Sequence, residues 1–224
     1  MRTIVTFTVL LAAAAGVAAQ EGGSPGASAA PAAAARFFPS RTAPRGALWR
    51  PLTGSERLDL LVRGSYINPA SHLRGVFVAT IDHWQNDPPQ WDNNLDGYRR
   101  RLADRSARFL IRDTFEAGIA GALGHEVRYI PCDCEGAGRR LWHVFAGGFR
   151  TYDRNGNWRP HYARIASVFG AEYVRYTWRP PADRDASEVA TGALVQLCVG
   201  ATSRLFREFS PEIKRGWRKL RGKP

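Results

Sequence analysis

The chain has 224 residues, 44% of them hydrophobic, and carries 32 Lys and Arg against 20 Asp and Glu, a formal net charge of +12. That apolar share, with seven tryptophans, can bury one substantial core after residue 50 and excludes a chain too polar to fold. The charge points to anionic partners: nucleic acid for a cytosolic chain, phospholipid headgroups or phosphorylated polymers for an exported one.

Residues 1–19 predict export. Arg2 supplies a basic start, Ile4 to Val17 form an apolar run, and Val17-Ala18-Ala19 offer small residues for cleavage before Gln20. The run is too short to span a membrane comfortably. Residues 20–50, rich in Ala, Pro and Gly, predict a flexible linker. The expected location is therefore the periplasm or the outer membrane, and the expected partner an anionic membrane or envelope polymer, with no nucleic acid.

A helical pattern begins at Thr53, which with Glu56 forms a capping box. Leu58, Leu61 and Val62 line one face, and Asn68-Pro69 ends this helix and starts the next. The second helix has the clearest apolar stripe in the chain: Leu73, Val76, Phe77, Thr80, Ile81 and Trp84. Asn86-Asp87-Pro88-Pro89 stops it. A third helix is predicted from Leu95 to Leu123, closed by Gly124. Its first half is rich in arginine, and its second half, around Gly118, is built of small residues suited to close helix packing.

The segment 136–152 is ambiguous between helix and strand, and Phe149 to Pro160 around Asn155-Gly156 suits a hairpin. Tyr162 to Tyr176 returns to helical spacing, ended by Arg179-Pro180-Pro181. Val189 to Ser203 carries no charge, is short of a span and predicts a buried central helix, with Gly192 and Gly200 as close-packing points. A separate C-terminal helix is expected, with Ser210 as cap and Pro211 at its first position. Ile213, Trp217 and Leu220 form its apolar face; Lys214, Arg215, Arg218, Lys219 and Arg221 surround it. A basic amphipathic helix of this kind suits a membrane interface, and Lys214, Arg215, Trp217, Arg218, Lys219 and Arg221 are the expected contact residues.

The fold class expected is mainly α, a helical bundle with one short β-hairpin, preceded by a signal peptide and a disordered linker. Residues 51–224 are expected to form one helical domain. Three cysteines in an exported chain predict a disulfide between Cys198 and either Cys132 or Cys134. A bond within Cys132-Asp133-Cys134 would close a small ring and is the less favoured pairing.

Motifs with chemistry are sparse. Asp92, Asn94 and Asp96 with Gly97 match the first half of a calcium loop, but Ala103 stands where the bidentate glutamate is needed, and a turn leading into the third helix is the better reading. His125-Glu126 begins like a zinc-protease helix, yet Tyr129 replaces the second histidine. Asp113 and Glu116 share a helix face. With His125 and Glu126 they are the only clustered acid/base candidates, and ion pairing with the neighbouring arginines is the stronger reading. No nucleophile elbow, phosphate loop or dinucleotide fingerprint occurs, and no cofactor is expected.

Leu52-Thr53-Gly54-Ser55-Glu56-Arg57, Gly97-Tyr98-Arg99-Arg100, Glu126-Val127-Arg128-Tyr129 and Phe206-Arg207-Glu208-Phe209-Ser210-Pro211-Glu212-Ile213-Lys214 together resemble a family of exported acidobacterial proteins of uncharacterised function. The resemblance spans roughly residues 50–216 and is carried by order and spacing. This chain departs from it at Ser210 and Glu212, where members have Trp and Asp. It implies an exported, largely helical domain and brings no activity, cofactor or site residue. The leading expectation is a non-enzymatic envelope protein associated with an anionic membrane. The alternatives are a periplasmic enzyme of unknown reaction and a calcium-stabilised binding module.

Overall fold

A computed structural model describes residues 38–43 and 50–221. The predicted signal peptide, most of the linker and the last three residues lie outside the described residues. The described chain is mainly α, with six α-helices and one two-stranded antiparallel hairpin.

Helix α1 (Gly54–Leu61) starts on the predicted capping box: Thr53 Oγ1 accepts from Glu56 N and Glu56 Oε2 accepts from Thr53 N at 2.8 Å. A π-helical turn, Val62–Ile67, carries the chain to Asn68, which caps α2 (Pro69–Trp84). The 29-residue α3 (Leu95–Leu123) ends on Gly124 in the left-handed conformation (φ 68°). Helix α4 (Ala137–Phe149) runs directly into β1 (Arg150–Tyr152), which pairs with β2 (Trp158–Pro160) in the register Thr151↔Arg159. Helix α5 (Tyr162–Tyr176) is capped by His161, whose Nδ1 accepts from Arg164 N at 3.2 Å. The last helix, α6 (Ala186–Leu220), is capped by Asp185, whose side chain accepts from Ser187 N. Helix α3 packs mainly against α5 and α2, while α6 packs against α5 and α4.

The expected break at Ser210-Pro211 does not occur; α6 passes through Pro211. Proline cannot donate to the carbonyl four residues back. Here that carbonyl, of Arg207, instead accepts the Ser210 hydroxyl at 3.0 Å.

The calcium-like loop is spent on turn and cap geometry. Asn94 Oδ1 accepts from Gly97 N at 2.8 Å, Asp96 pairs with Arg100 at 2.8 Å, and the Asp92 carbonyl accepts from Arg101 at 2.7 Å. Arg101, only 1% exposed, also binds the Asp87 and Pro88 carbonyls and Asn86 Oδ1, tying the α2–α3 connection together. Gly97 is required there, because a Cβ would lie 1.9 Å from the Trp91 carbonyl oxygen. Among the described residues, no cluster of His, Cys, Asp or Glu is arranged to hold a metal ion.

The cysteine pairing differs from expectation. Cys132 bonds Cys134, with Cα atoms 5.2 Å apart, and Cys198 is free and exposed. Cys132 is pinned beside Glu208, whose Oε2 accepts from Cys132 N at 3.1 Å. Cys198 lies ten residues earlier on α6, roughly 15 Å along the helix, well beyond disulfide reach.

Burial is the largest departure. Most of the α2 stripe faces outwards, with Leu73 62% exposed and Trp84 85%; Ile81 is half-buried, and the helix buries Ala79 and Asp82. Helix α6, whose segment Val189 to Ser203 is the expected buried helix, is long and apolar enough to cross a membrane, yet only 11% of its apolar window is buried. It docks through Ala193, Arg204 and Glu208 and leaves Leu194 outside. The small-residue stretch of α3 makes no close approach at Gly118 or Gly121; Gly192 does, with Glu172 where its Cβ would stand. The largest fully buried side chains include Arg101, Glu126 and Glu208.

Candidate functional site

The polar interior encloses a cavity of about 670 Å³ between α2, α3, α5 and α6. The inward face of α3 sets its character. Arg101, Asp104, Arg105, Arg108, Arg112, Asp113 and Glu116 recur at three- and four-residue spacing, so they share one side of the helix. Arg101 is met by carbonyls of the α2–α3 connection and Arg112 by Asp113 on its own helix; the others find partners on neighbouring elements. Asp82 on α2 takes both Nε and Nη2 of Arg105, at 2.5 and 2.8 Å. Asp104 accepts Arg175 Nε and Nη2 from α5, at 2.8 and 2.6 Å, and Trp178 Nε1 at 2.9 Å. Glu172 takes Arg108 at 2.7 Å and Gln196 of α6 at 2.8 Å. Buried charges require such pairing, because an uncompensated one costs several kcal/mol.

Two predicted acid/base candidates reach this cavity. Asp113 accepts from Arg41 at 2.5 Å, Arg112 at 2.7 Å and Ser65 at 2.7 Å. Burial works to raise its pKa, but Arg41, Arg112 and the Ser65 hydroxyl hold it well below the usual carboxylate range. Glu116 accepts from Arg164 at 3.1 Å, with His161 Nε2 at 3.7 Å. Its burial is likewise overcome by Arg164 and His161, leaving the pKa lowered. Both groups are ionised at neutral pH and already engaged, a poor starting point for proton transfer.

The other two candidates lie apart from the cavity lining. Glu126 accepts from Val127 N and Arg128 N at 3.0 and 2.9 Å and pairs with Arg128 Nη2 at 2.9 Å, fastening the turn after α3. The His125 carbonyl takes Arg57 Nη1 at 2.6 Å; its own ring is buried, which lowers its pKa. The four residues form no single constellation.

Reasoning from sequence missed three residues at the cavity: Arg74, His161 and Arg204. Burial, then Arg164, pushes the His161 pKa down to about 3. Burial, then Arg112, lowers Arg74 to about 10; burial, then Arg164, lowers Arg204 to about 9. The signal that could have found the site is the charged stripe of α3, which is too regular for a solvated face.

Lys214, Arg215, Trp217, Arg218, Lys219 and Arg221 all lie exposed on the last turns of α6. Trp217 takes no part in the core; the Arg221 guanidinium carbon sits 4.9 Å from its ring centroid. Comparison with protein-family models, curated proteins and solved structures gave no match to this chain.

Proposed function

We propose that this chain is an exported, non-enzymatic envelope protein that seats its apolar exterior against an anionic membrane surface. One observation carries the reading: large apolar side chains face outwards while charged pairs fill the interior. Leu73, Phe77 and Trp84 on α2, Trp142, Phe145 and Phe149 on α4, and Tyr162 and Tyr173 on α5 are all exposed. Such surface is costly in water and suits contact with lipid. Helices α2, α4 and α5 have 16, 13 and 15 residues. At about 1.5 Å per residue these three fall short of a hydrocarbon core of about 30 Å; α6 is long enough, but it turns Arg204 and Glu208 into the protein interior, so the reading is seating at the interface.

The basic end of α6 supports an anionic surface. Its Lys and Arg side chains each add roughly 1 kcal/mol near such a membrane, and Trp217 suits the headgroup level. Flotation of the purified chain with phosphatidylglycerol or phosphatidylcholine vesicles tests this. Binding to the anionic vesicles, weakened by deleting residues 211–224, is the expected result. Absence of binding to either, with a defined homo-oligomer in solution, would assign the apolar exterior to a second copy instead.

A further inference from the structure

The Cys132–Cys134 bond is badly placed to be a staple. Its two cysteines are separated by 2 in sequence, and constraining so short a loop removes little entropy from the unfolded chain. The turn that carries it is fastened without it. Ahead of the bond, the Tyr129 hydroxyl donates to Glu208 Oε2 at 2.7 Å and the Ile130 carbonyl meets His143 Nε2 at 2.9 Å. At the bond, Cys132 N donates to Glu208 Oε2 at 3.1 Å, and beyond it Arg140 Nε donates to Glu208 Oε1 at 2.9 Å. Glu208 is 0% exposed and belongs to α6, so these contacts fix the turn to the body on both sides of the disulfide. None of them involves a sulfur atom, and opening the bond leaves all of them available.

The bond also lies within reach of solvent. Cys132 and Cys134 are half-buried, Asp133 and Glu135 beside them are exposed, and residues 131–136 form irregular backbone ahead of α4. Accessible disulfides that hold little structure together are the ones open to exchange. Cys198 takes no part: it stands ten residues before Glu208 on α6, roughly 15 Å along the helix. We propose that Cys132–Cys134 is a thiol–disulfide exchange site that passes its disulfide to a dithiol. One thiolate of the dithiol attacks a sulfur of the pair, forming a mixed disulfide and releasing the other cysteine as a thiolate, which takes up a proton. The second thiolate of the dithiol then attacks the dithiol's own sulfur in the mixed disulfide. That step closes the new disulfide and releases the remaining cysteine, which is protonated in turn. Two electrons and two protons pass from the dithiol to the chain. A small-molecule disulfide such as glutathione disulfide re-forms the pair by two exchanges of the same kind, becoming two thiols. Transfer is stoichiometric, one disulfide per chain, and is independent of the membrane reading above.

Incubation of the oxidised chain, carrying Cys198→Ser, with a synthetic peptide bearing two reduced cysteines tests this, read by alkylation and mass spectrometry. The expected result is that the peptide gains a disulfide while Cys132 and Cys134 become open to alkylation, up to one disulfide per chain. Glutathione disulfide should then close the pair again. Cys132→Ser and Cys134→Ser should each abolish transfer and leave the surviving cysteine able to hold glutathione as a mixed disulfide. The variant with both cysteines replaced should keep the far-UV circular dichroism of the parent, which separates lost exchange from lost folding. A pair that stays closed in excess reduced peptide, transfer that persists without either cysteine, or unfolding of the chain when the pair is reduced would overturn the proposal.

Discussion

Tyr129 donates its phenolic hydrogen bond to Glu208 Oε2 at 2.7 Å, joining the turn after α3 to α6 across 79 residues of sequence. Glu208 is 0% exposed, and it also accepts from Cys132 N at 3.1 Å and Arg140 Nε at 2.9 Å. One buried carboxylate thus ties the disulfide turn, α4 and α6 together. Tyr129→Phe should destabilise the fold by roughly 1.5–3 kcal/mol, the range for a hydrogen bond to a charged group. Glu208→Ala should cost roughly 3–5 kcal/mol, because Tyr129, Cys132 N and Arg140 all lose their acceptor at once. Urea denaturation gives both values; a larger loss for Tyr129→Phe than for Glu208→Ala would contradict this picture.

The Asp104–Arg175 pair links α3 to α5 in the same manner. Asp104→Leu and Arg175→Met should each cost roughly 3–5 kcal/mol, since each strips the other charge of its bidentate partner and leaves Arg175 only Glu172 at 3.4 Å or Asp104 only Trp178. The double variant should cost clearly less than the sum. Additive costs in a double-mutant cycle would show that the two side chains do not act as a pair.

Stability should fall as pH is lowered through the range governed by His161. Its pKa is depressed to about 3, against 6.5 for the free side chain, by burial, then Arg164, Arg204 and His125, with Glu116 opposing. Between these pH values the unfolded chain binds a proton that the folded chain refuses, so stability rises with pH by up to about 1.4 kcal/mol per unit and levels off above 6.5. The depressed Glu116 carboxyl adds a loss of the same sign at the acid end. His161→Asn keeps a capping side chain for α5 and removes the titration. Its stability should vary less between pH 6.5 and 4.5, read by chemical denaturation at each pH; an unchanged slope would discount His161.

Labelling with a maleimide should mark one thiol per unfolded chain before reduction and three after it, since only Cys198 is free. Mass spectrometry reads the count. A single label carried by Cys132 or Cys134 would restore the pairing first expected for Cys198.

Local signals in the sequence were reliable where the physics is local. The capping box at Thr53, the start of α2 at Asn68-Pro69, both ends of α3 and the hairpin near 150–160 all rest on side chains that bond their own backbone or on glycine's left-handed freedom. Direction was not legible. The periodicity of Leu73, Val76, Phe77 and Trp84 identifies a face but not what that face meets, and here it meets the exterior. Pro211 misled because the compensating Ser210 hydroxyl is adjacent in sequence and reads equally well as a cap. Asp113 and Glu116 were visible as a pair on one helix. Arg74 and Arg204 were not, because a single arginine in an apolar window acquires its meaning only from partners that the fold brings near.

The outward stripe of α2 separates a water-facing from a lipid-facing account. Were these residues a core, Leu73→Ala or Phe77→Ala would cost roughly 2–5 kcal/mol. Exposed as they are, each should change stability in detergent-free buffer by less than about 0.5 kcal/mol. Leu73→Ser, Phe77→Ser and Trp84→Ser combined should instead weaken flotation with anionic vesicles. Core-sized losses on urea denaturation of the single variants would show that the stripe is buried in solution, by a second copy or by a rearranged fold.

The most direct test of membrane seating is fractionation of cells expressing the full chain, with membranes washed first in high salt and then in alkaline carbonate. The account predicts recovery with the membranes, resistance to salt because apolar side chains hold the protein, and release by carbonate because the helices seat at the interface. Recovery in the soluble fraction before any wash would contradict it.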